Sequence, residues 1–285
     1  MQQKISRGGT SAMSAPLSSG RSKPALSIEQ RHRRLRWTVR SGLIAALMAF
    51  WYLATGPLEL VAPIKFPSIS DAYAAFRLAL SPGYAGSTLL AHIGSSLGLV
   101  LLGFAAAILT GVPLGLLMGW NRMADAYLNP IFQIMRPIAP IAWIPLTILW
   151  FGLGISAKVF VIWLAAFSPA LINTHTGIRN INPVLVEAAR VHGASTWQLL
   201  RDVVIPNALP TIFTGLRISL QACWMVLVAA ELVGSFMGLG YIMINATRDL
   251  DPSMIFVAMV TVALLGVLMN TALTVIERRV MPWKR

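Results

Sequence analysis

Residues 81–122 read SPGYAGSTLLAHIGSSLGLVLLGFAAAILTGVPLGLLMGWNR, and Arg122 is the first charge since Arg77. About 20 mostly apolar residues suffice for a helix to cross the hydrocarbon layer. The uncharged run 78–121 is therefore too long for one span. Ser81-Pro82-Gly83 breaks it near its start, and Trp120-Asn121-Arg122 closes it, so the spacing predicts a span over about 88–119. Outward from it, further uncharged runs occupy 41–58, 137–157, 159–178 and 252–276. Two more, 218–230 and 232–247, are separated only by Glu231. Over the 285 residues, 56% are hydrophobic and 12% charged, about half the charge of an ordinary soluble domain. Buried in lipid, each span must satisfy its own backbone polar groups, and the strict alternation of barrel strands is missing. The expected fold class is all-α: a polytopic membrane protein of about six transmembrane helices.

The predicted spans are 39–57, 88–119, 130–151, 157–178, 208–234 and 253–276. Residues 1–37, rich in Ser, Gly, Arg and Lys, read as a disordered basic tail. The polar tail ahead of the first span, and the span's length, read as a retained helix and not a signal peptide. Outside the membrane, Ser70 is placed to cap a short helix over 71–80, and 235–252 reads as a loop. Gly111, Gly115 and Gly119 form a small-residue stripe for close helix packing. Pro130, Pro137, Pro140 and Pro145 predict a kinked or partly unwound third span. Pro140 and Pro145 then either pack or line a pathway. Glu231 has two readings, a structural hydrogen bond or a pathway or gate role. Cys223, the only cysteine, reads as a packing residue. Trp51 and Tyr52 read as interfacial anchors.

A formal charge of +13 could suggest a nucleic-acid partner, but its distribution follows topology instead. With a cytoplasmic N-terminus and six spans, nineteen of the 23 lysines and arginines fall inside. Lys65, Arg77, Lys158 and Arg248 fall outside. This is the positive-inside bias, with both termini cytoplasmic. A single cysteine and four scattered histidines supply no metal-ligand spacing. No G-x-S-x-G elbow occurs. Without any Gly-Lys dipeptide there is no P-loop, so any ATP-driven step needs a second polypeptide.

The most informative polar interval is 179–206, RNINPVLVEAARVHGASTWQLLRDVVIP. Asn182 can cap a helix that Pro183 opens and Gly193 stops. Ser195 and Gln198 have capping-box spacing for a second short helix, which Pro206 should end. The two would form a compact cytoplasmic protrusion, with Ala188 and Ala189 presenting a small-side-chain surface to a partner.

Glu187, Ala188, Ala189 and Gly193, with Val203, Ile205 and Pro206 downstream, resemble the EAA loop of ATP-binding-cassette (ABC) importer permeases. RPIAPIAWIPLTILWFGLG (136–154), PNALPTIFTGLRISL (206–220), VLVAAELVG (226–234) and ERRVMPW (277–283) resemble the taurine, sulfonate and nitrate/bicarbonate branch. The resemblance covers about 40–283 and is nearest to taurine/sulfonate permeases. It implies a type I importer permease in the bacterial inner membrane, a homodimer bound to two cytoplasmic ATPase subunits that use the ATP. A periplasmic substrate-binding protein would dock from outside. Glu187, Ala188, Ala189, Gly193 and Pro206 would belong to the ATPase-coupling loop. The chain itself would be no enzyme, bind no cofactor or metal, and move a small oxyanion by alternating access. The rival reading, an ion-coupled secondary carrier, predicts midplane acids or inverted repeats. The spans offer only Glu231 and no clear repeat. A membrane-embedded enzyme would need clustered polar residues, which are missing.

Overall fold

The computed structural model describes residues 66–284, and before them positions 39, 42–43, 45–46 and 48–55. The tail expected at 1–37 lies outside the described residues. Of the first predicted span, 39–57, every described position is helical.

From residue 66 onward the chain is helix after helix. Helix α1 is Ile69–Leu80, α2 Leu89–Trp120, α3 Arg122–Met135, α4 Ile144–Phe151, α5 Ile155–Arg179 and α6 Pro183–Val191. Helix α7 is Thr196–Gly234, α8 is Leu239–Arg248 and α9 is Pro252–Val280. Helices α2, α5, α7 and α9 are long and apolar enough to cross a membrane. A fifth candidate is the pair formed by α3 and Pro140–Phe151, bent by 80°.

Helix α5 is the central element, with α2 on one side and α7 on the other. A β-carbon on Gly115 would lie 2.7 Å from the Leu171 carbonyl oxygen and 2.8 Å from Thr174 Cβ. On the other side, one on Gly215 would lie 2.5 Å from Asn173 Cβ. Lipid tails are as apolar as leucine, so helices gain from close approach and buried hydrogen bonds more than from hydrophobic exclusion. Ser219 supplies such a bond, donating from Oγ to the Ala166 carbonyl at 2.7 Å. The predicted packing role of Gly111, Gly115 and Gly119 matches these contacts, since all three face α5 at short range. Cys223 is fully buried in the same core.

The structure departs from the sequence expectations at four places. Helix α1 is capped by Ser68, which accepts from the Asp71 N–H at 3.2 Å, and not by Ser70. The third span is broken, as its prolines predict, but its first helix, α3, starts at Arg122 instead of near 130, and the chain turns through 136–140. Pro206 ends nothing. Helix α7 runs through it by way of a π-helical segment, Leu199–Val204, in which the Ile205 N–H reaches the Leu200 carbonyl. Widening the ladder by one residue is a known way to absorb the missing proline donor and its ring. The supposed loop 235–252 contains α8, whose Leu239, Ile242 and Ala246 are buried.

Candidate functional site

The exposed protrusion predicted at 179–206 begins with α6. Asn182 Oδ1 accepts from the Val184 N–H at 3.0 Å, and Pro183 occupies the first turn, where its missing donor costs nothing. At the other end the Gly193 N–H reaches the Arg190 carbonyl at 2.9 Å, and the Ala194 N–H reaches Ala189 at 3.1 Å. This pairing is the Schellman arrangement, which needs a left-handed residue at the turn. Gly193 provides it, with φ at +80°. Ser195 and Gln198 then form the full capping box, at 2.8 and 3.3 Å.

The surface of this element is apolar where a solvated turn would be polar. Val191 is 85% exposed and Trp197 67%, with Val184 and Leu185 also exposed. Glu187, Ala188 and Gly193 share that outward face, whereas Ala189 is half-buried and packs with Val186 on the core. Pro206 lies elsewhere, half-buried in α7. The structure therefore brings together Glu187, Ala188 and Gly193 from the expected set, and separates Pro206 from them.

A second feature is the break between α3 and α4. Pro140 opens a 3-10 turn, Pro140–Trp143, and Pro145 sits in the first turn of α4. Neither position needs an N–H, so the prolines shape the break without orphaning donors. A cavity of about 190 Å³ opens beside it, lined by Phe132, Arg136, Pro140, Trp143, Phe167 and Ser168 among others. Pro145 is exposed and lies outside that lining.

The third feature surrounds Glu231, which is fully buried. Ser96 donates to its two oxygens at 2.8 and 3.1 Å, and the Gly240 N–H donates at 2.8 Å. Ser96 Oγ in turn accepts from the Leu239 N–H at 2.9 Å. His92 Nδ1 accepts from the Gly238 N–H at 3.0 Å, and its Nε2 faces the Tyr84 carbonyl at 3.1 Å. Those two contacts make His92 the Nε2–H tautomer. Gly238 has φ at +128°, and a β-carbon there would fall 2.2 Å from Glu231 Oε1. One carboxyl group thus ties α2, α7 and the start of α8 together.

Beyond it, Tyr84 donates its hydroxyl to Asp249. Burial, the bond to Asp249 and the nearby negative charges of Asp249 and Asp251 raise the Tyr84 pKa. Sequence reasoning singled out Glu231 but missed Ser96, His92 and Gly238. Their common signal is local: His92 and Ser96 lie four apart on one helix face, and the segment after Glu231 is rich in glycine. Pairing the two segments requires the fold.

Comparison with known proteins identifies the architecture. The family model described as the binding-protein-dependent transport system inner membrane component matches residues 111–283. The taurine transport system permease protein of Escherichia coli is 34% identical over 260 residues, 88% of this chain and 94% of that protein. The putative aliphatic sulfonates transport permease protein of Bacillus subtilis is 32% identical, covering 91% of this chain and 93% of that protein. A bicarbonate transport system permease protein of Synechococcus elongatus is 38% identical, covering 65% of this chain and 66% of that protein. Among solved structures, an inward-facing MetNI methionine ABC transporter superposes with a TM-score of 0.60 at 23% identity. That match covers 67% of this chain and 95% of the solved chain, and shows a shared fold.

Proposed function

The chain belongs to the inner-membrane components of binding-protein-dependent transport systems, the permeases of ABC transporters. From that premise we propose that it is the membrane-spanning subunit of an ATP-driven importer for a small oxyanion of the sulfonate, nitrate or bicarbonate kind. Two copies would frame the pathway, two cytoplasmic ATPase subunits would hydrolyse the ATP, and a periplasmic binding protein would deliver the substrate. Both termini and the 179–206 segment would face the cytoplasm. This chain would then be no enzyme, bind no cofactor, and work by alternating access.

The observation that carries this reading is the protrusion built on α6. An apolar, small-residue surface around Glu187 and Ala188, on a capped helix ended by a left-handed glycine, suits a groove on a partner. Capping at both ends holds the surface in one shape before docking, which lowers the entropy cost of binding. The carrier reading is set aside: Glu231, its candidate midplane acid, is consumed by Ser96 and Gly240. The test is ATP turnover. The purified chain alone should hydrolyse none, and addition of the ATPase subunit should restore turnover that responds to loaded binding protein. Turnover by the chain alone, with contaminating ATPases excluded, would overturn the assignment.

A further inference from the structure

Arg136 was counted with the cytoplasmic flank in the charge pattern, but the structure puts it deep along α5. Helix α3 runs antiparallel to α5, and two contacts set its depth. Near its start, Asp125 pairs with Arg179 and with His175, the latter at 3.0 Å. Near its end, Phe132 meets Phe167 edge-to-face with ring centroids 6.3 Å apart. Phe167 lies at the middle of α5, Ile155–Arg179, so the helix break that follows Phe132 lies near the midplane of the spanning bundle. Arg136 caps α3 at that break. Dropping it from the charge count leaves the inside bias almost unchanged.

An arginine at this depth is expensive, and such residues face a polar cavity or a partner charge. Among the described residues, the Arg136 guanidinium makes no hydrogen bond or ion pair. It lines instead the cavity of about 190 Å³, whose walls also include Ser168 and the aromatic residues Phe132, Trp143 and Phe167. Among the described residues, no acidic side chain lines that cavity. An unpaired cation, a hydroxyl donor and aromatic walls at a discontinuity in a span suit one ligand class, a small oxyanion with an organic or compact remainder. A guanidinium matches such an anion by its fork of N–H donors, as it does carboxylate and phosphate.

We propose that Arg136 and Ser168 form an anion subsite at the break of the third span, through which the transported oxyanion passes. The proposal rests on the importer reading and adds to it a place where the chain itself contacts substrate. Arg136 attracts and orients the anionic group. Ser168 donates to it, and the apolar aromatic walls lower the local dielectric and strengthen the contact. One cation and one hydroxyl, with no enclosing cage, hold an anion weakly enough to release it, as a pathway requires.

The test uses the complete importer, with its ATPase, in lipid nanodiscs that expose both faces. In a Cys223→Ser, Leu164→Cys background, which puts a thiol in the same cavity lining and keeps the Ser168 hydroxyl, the thiol is reacted with two methanethiosulfonates, one carrying an ethylsulfonate and one a trimethylammonium. The ratio of anionic to cationic rates is compared between Arg136, Arg136→Gln and Arg136→Lys. Focused positive potential raises anion on-rates by about tenfold or more. The ratio should therefore fall on the order of tenfold in Arg136→Gln and stay high in Arg136→Lys. Methanesulfonate, nitrate or bicarbonate in the buffer should slow the anionic reagent only where position 136 is charged, and which of them does so names the anion class. Three results would overturn the subsite: no reaction with either reagent, a ratio indifferent to position 136, or no protection by any of the three anions. ATPase activity stimulated by the permease, measured on the same nanodiscs, separates these failures from failure of the importer reading.

Discussion

Substituting alanine at Gly238 isolates the knot around Glu231. The backbone there, φ +128° and ψ 174°, lies in a region that is essentially glycine-only and costs other residues about 1–3 kcal/mol. A β-carbon would also lie 2.2 Å from Oε1, 2.4 Å from Cδ and 2.6 Å from Oε2 of Glu231. The carboxyl group must move, yet Ser96 and the Gly240 N–H hold it at 2.8 Å. Leaving a buried donor at this carboxyl without its partner costs about 1–3 kcal/mol. The total is about 2–6 kcal/mol, which for a chain of this size lowers the apparent Tm on the order of 10 °C.

Gly193→Ala is the matched control. It shares the positive φ, but nothing lies within 4 Å of the added carbon, so the expected loss is about 1 kcal/mol. Thermal unfolding of the purified subunit in one detergent compares the two. A cycle with Glu231→Ala then assigns the cause. Removing the carboxyl should relieve the clash and leave the double variant more stable than the sum of the singles by about 1.5 kcal/mol or more. Additivity within about 0.5 kcal/mol, or a Gly238→Ala Tm no lower than that of Gly193→Ala, refutes the reasoning.

Tyr84 sets an alkaline limit. Its folded pKa is raised, so the stability it contributes is fully present below its ordinary value near 10 and is lost as pH rises above that value. Tyr84→Phe should flatten the alkaline fall in Tm between about pH 9.5 and 11, and an unchanged slope would exclude the Asp249 contact as its source. Topology is checked in a Cys223→Ser background: a cysteine at Thr10 should resist impermeant reagents in intact cells, and one at Ala74 should react. The reverse pattern would place the 179–206 segment outside the cell and separate it from any cytoplasmic ATPase.

The long uncharged runs made the helical, membrane-spanning class legible, because lipid imposes one solution on any such run. Caps were readable where chemistry and spacing are local, as at Asn182, Gly193 and Ser195. Pro206 was misread because a proline's effect depends on the surrounding ladder: a π segment upstream absorbs it, and no sequence signal marks that choice. Helix α8 was missed because its glycines and polar residues read as a loop, and its burial comes from α9 and the Glu231 knot. The position of Arg136 was hidden for a related reason. A charge next to an apolar run reads as a flank, and only the packing of α3 along α5, with Phe132 against Phe167, shows it at mid-depth.

The central claim is that the α6 protrusion transmits the ATPase's work, and Gly193 tests it most directly. Valine strains a left-handed backbone by about 1–2 kcal/mol, whereas asparagine tolerates it. A β-carbon there has nothing within 4 Å, and the site lies outside the spans. The measurement is ATPase activity of the assembled complex, stimulated by loaded binding protein, at matched subunit abundance in the membrane. Gly193→Val should lose stimulation by about fivefold to thirtyfold, the factor that such a strain sets on the docking conformation. Gly193→Asn should stay close to the native chain. Full stimulation in Gly193→Val at normal abundance would contradict the coupling role of residues 183–193.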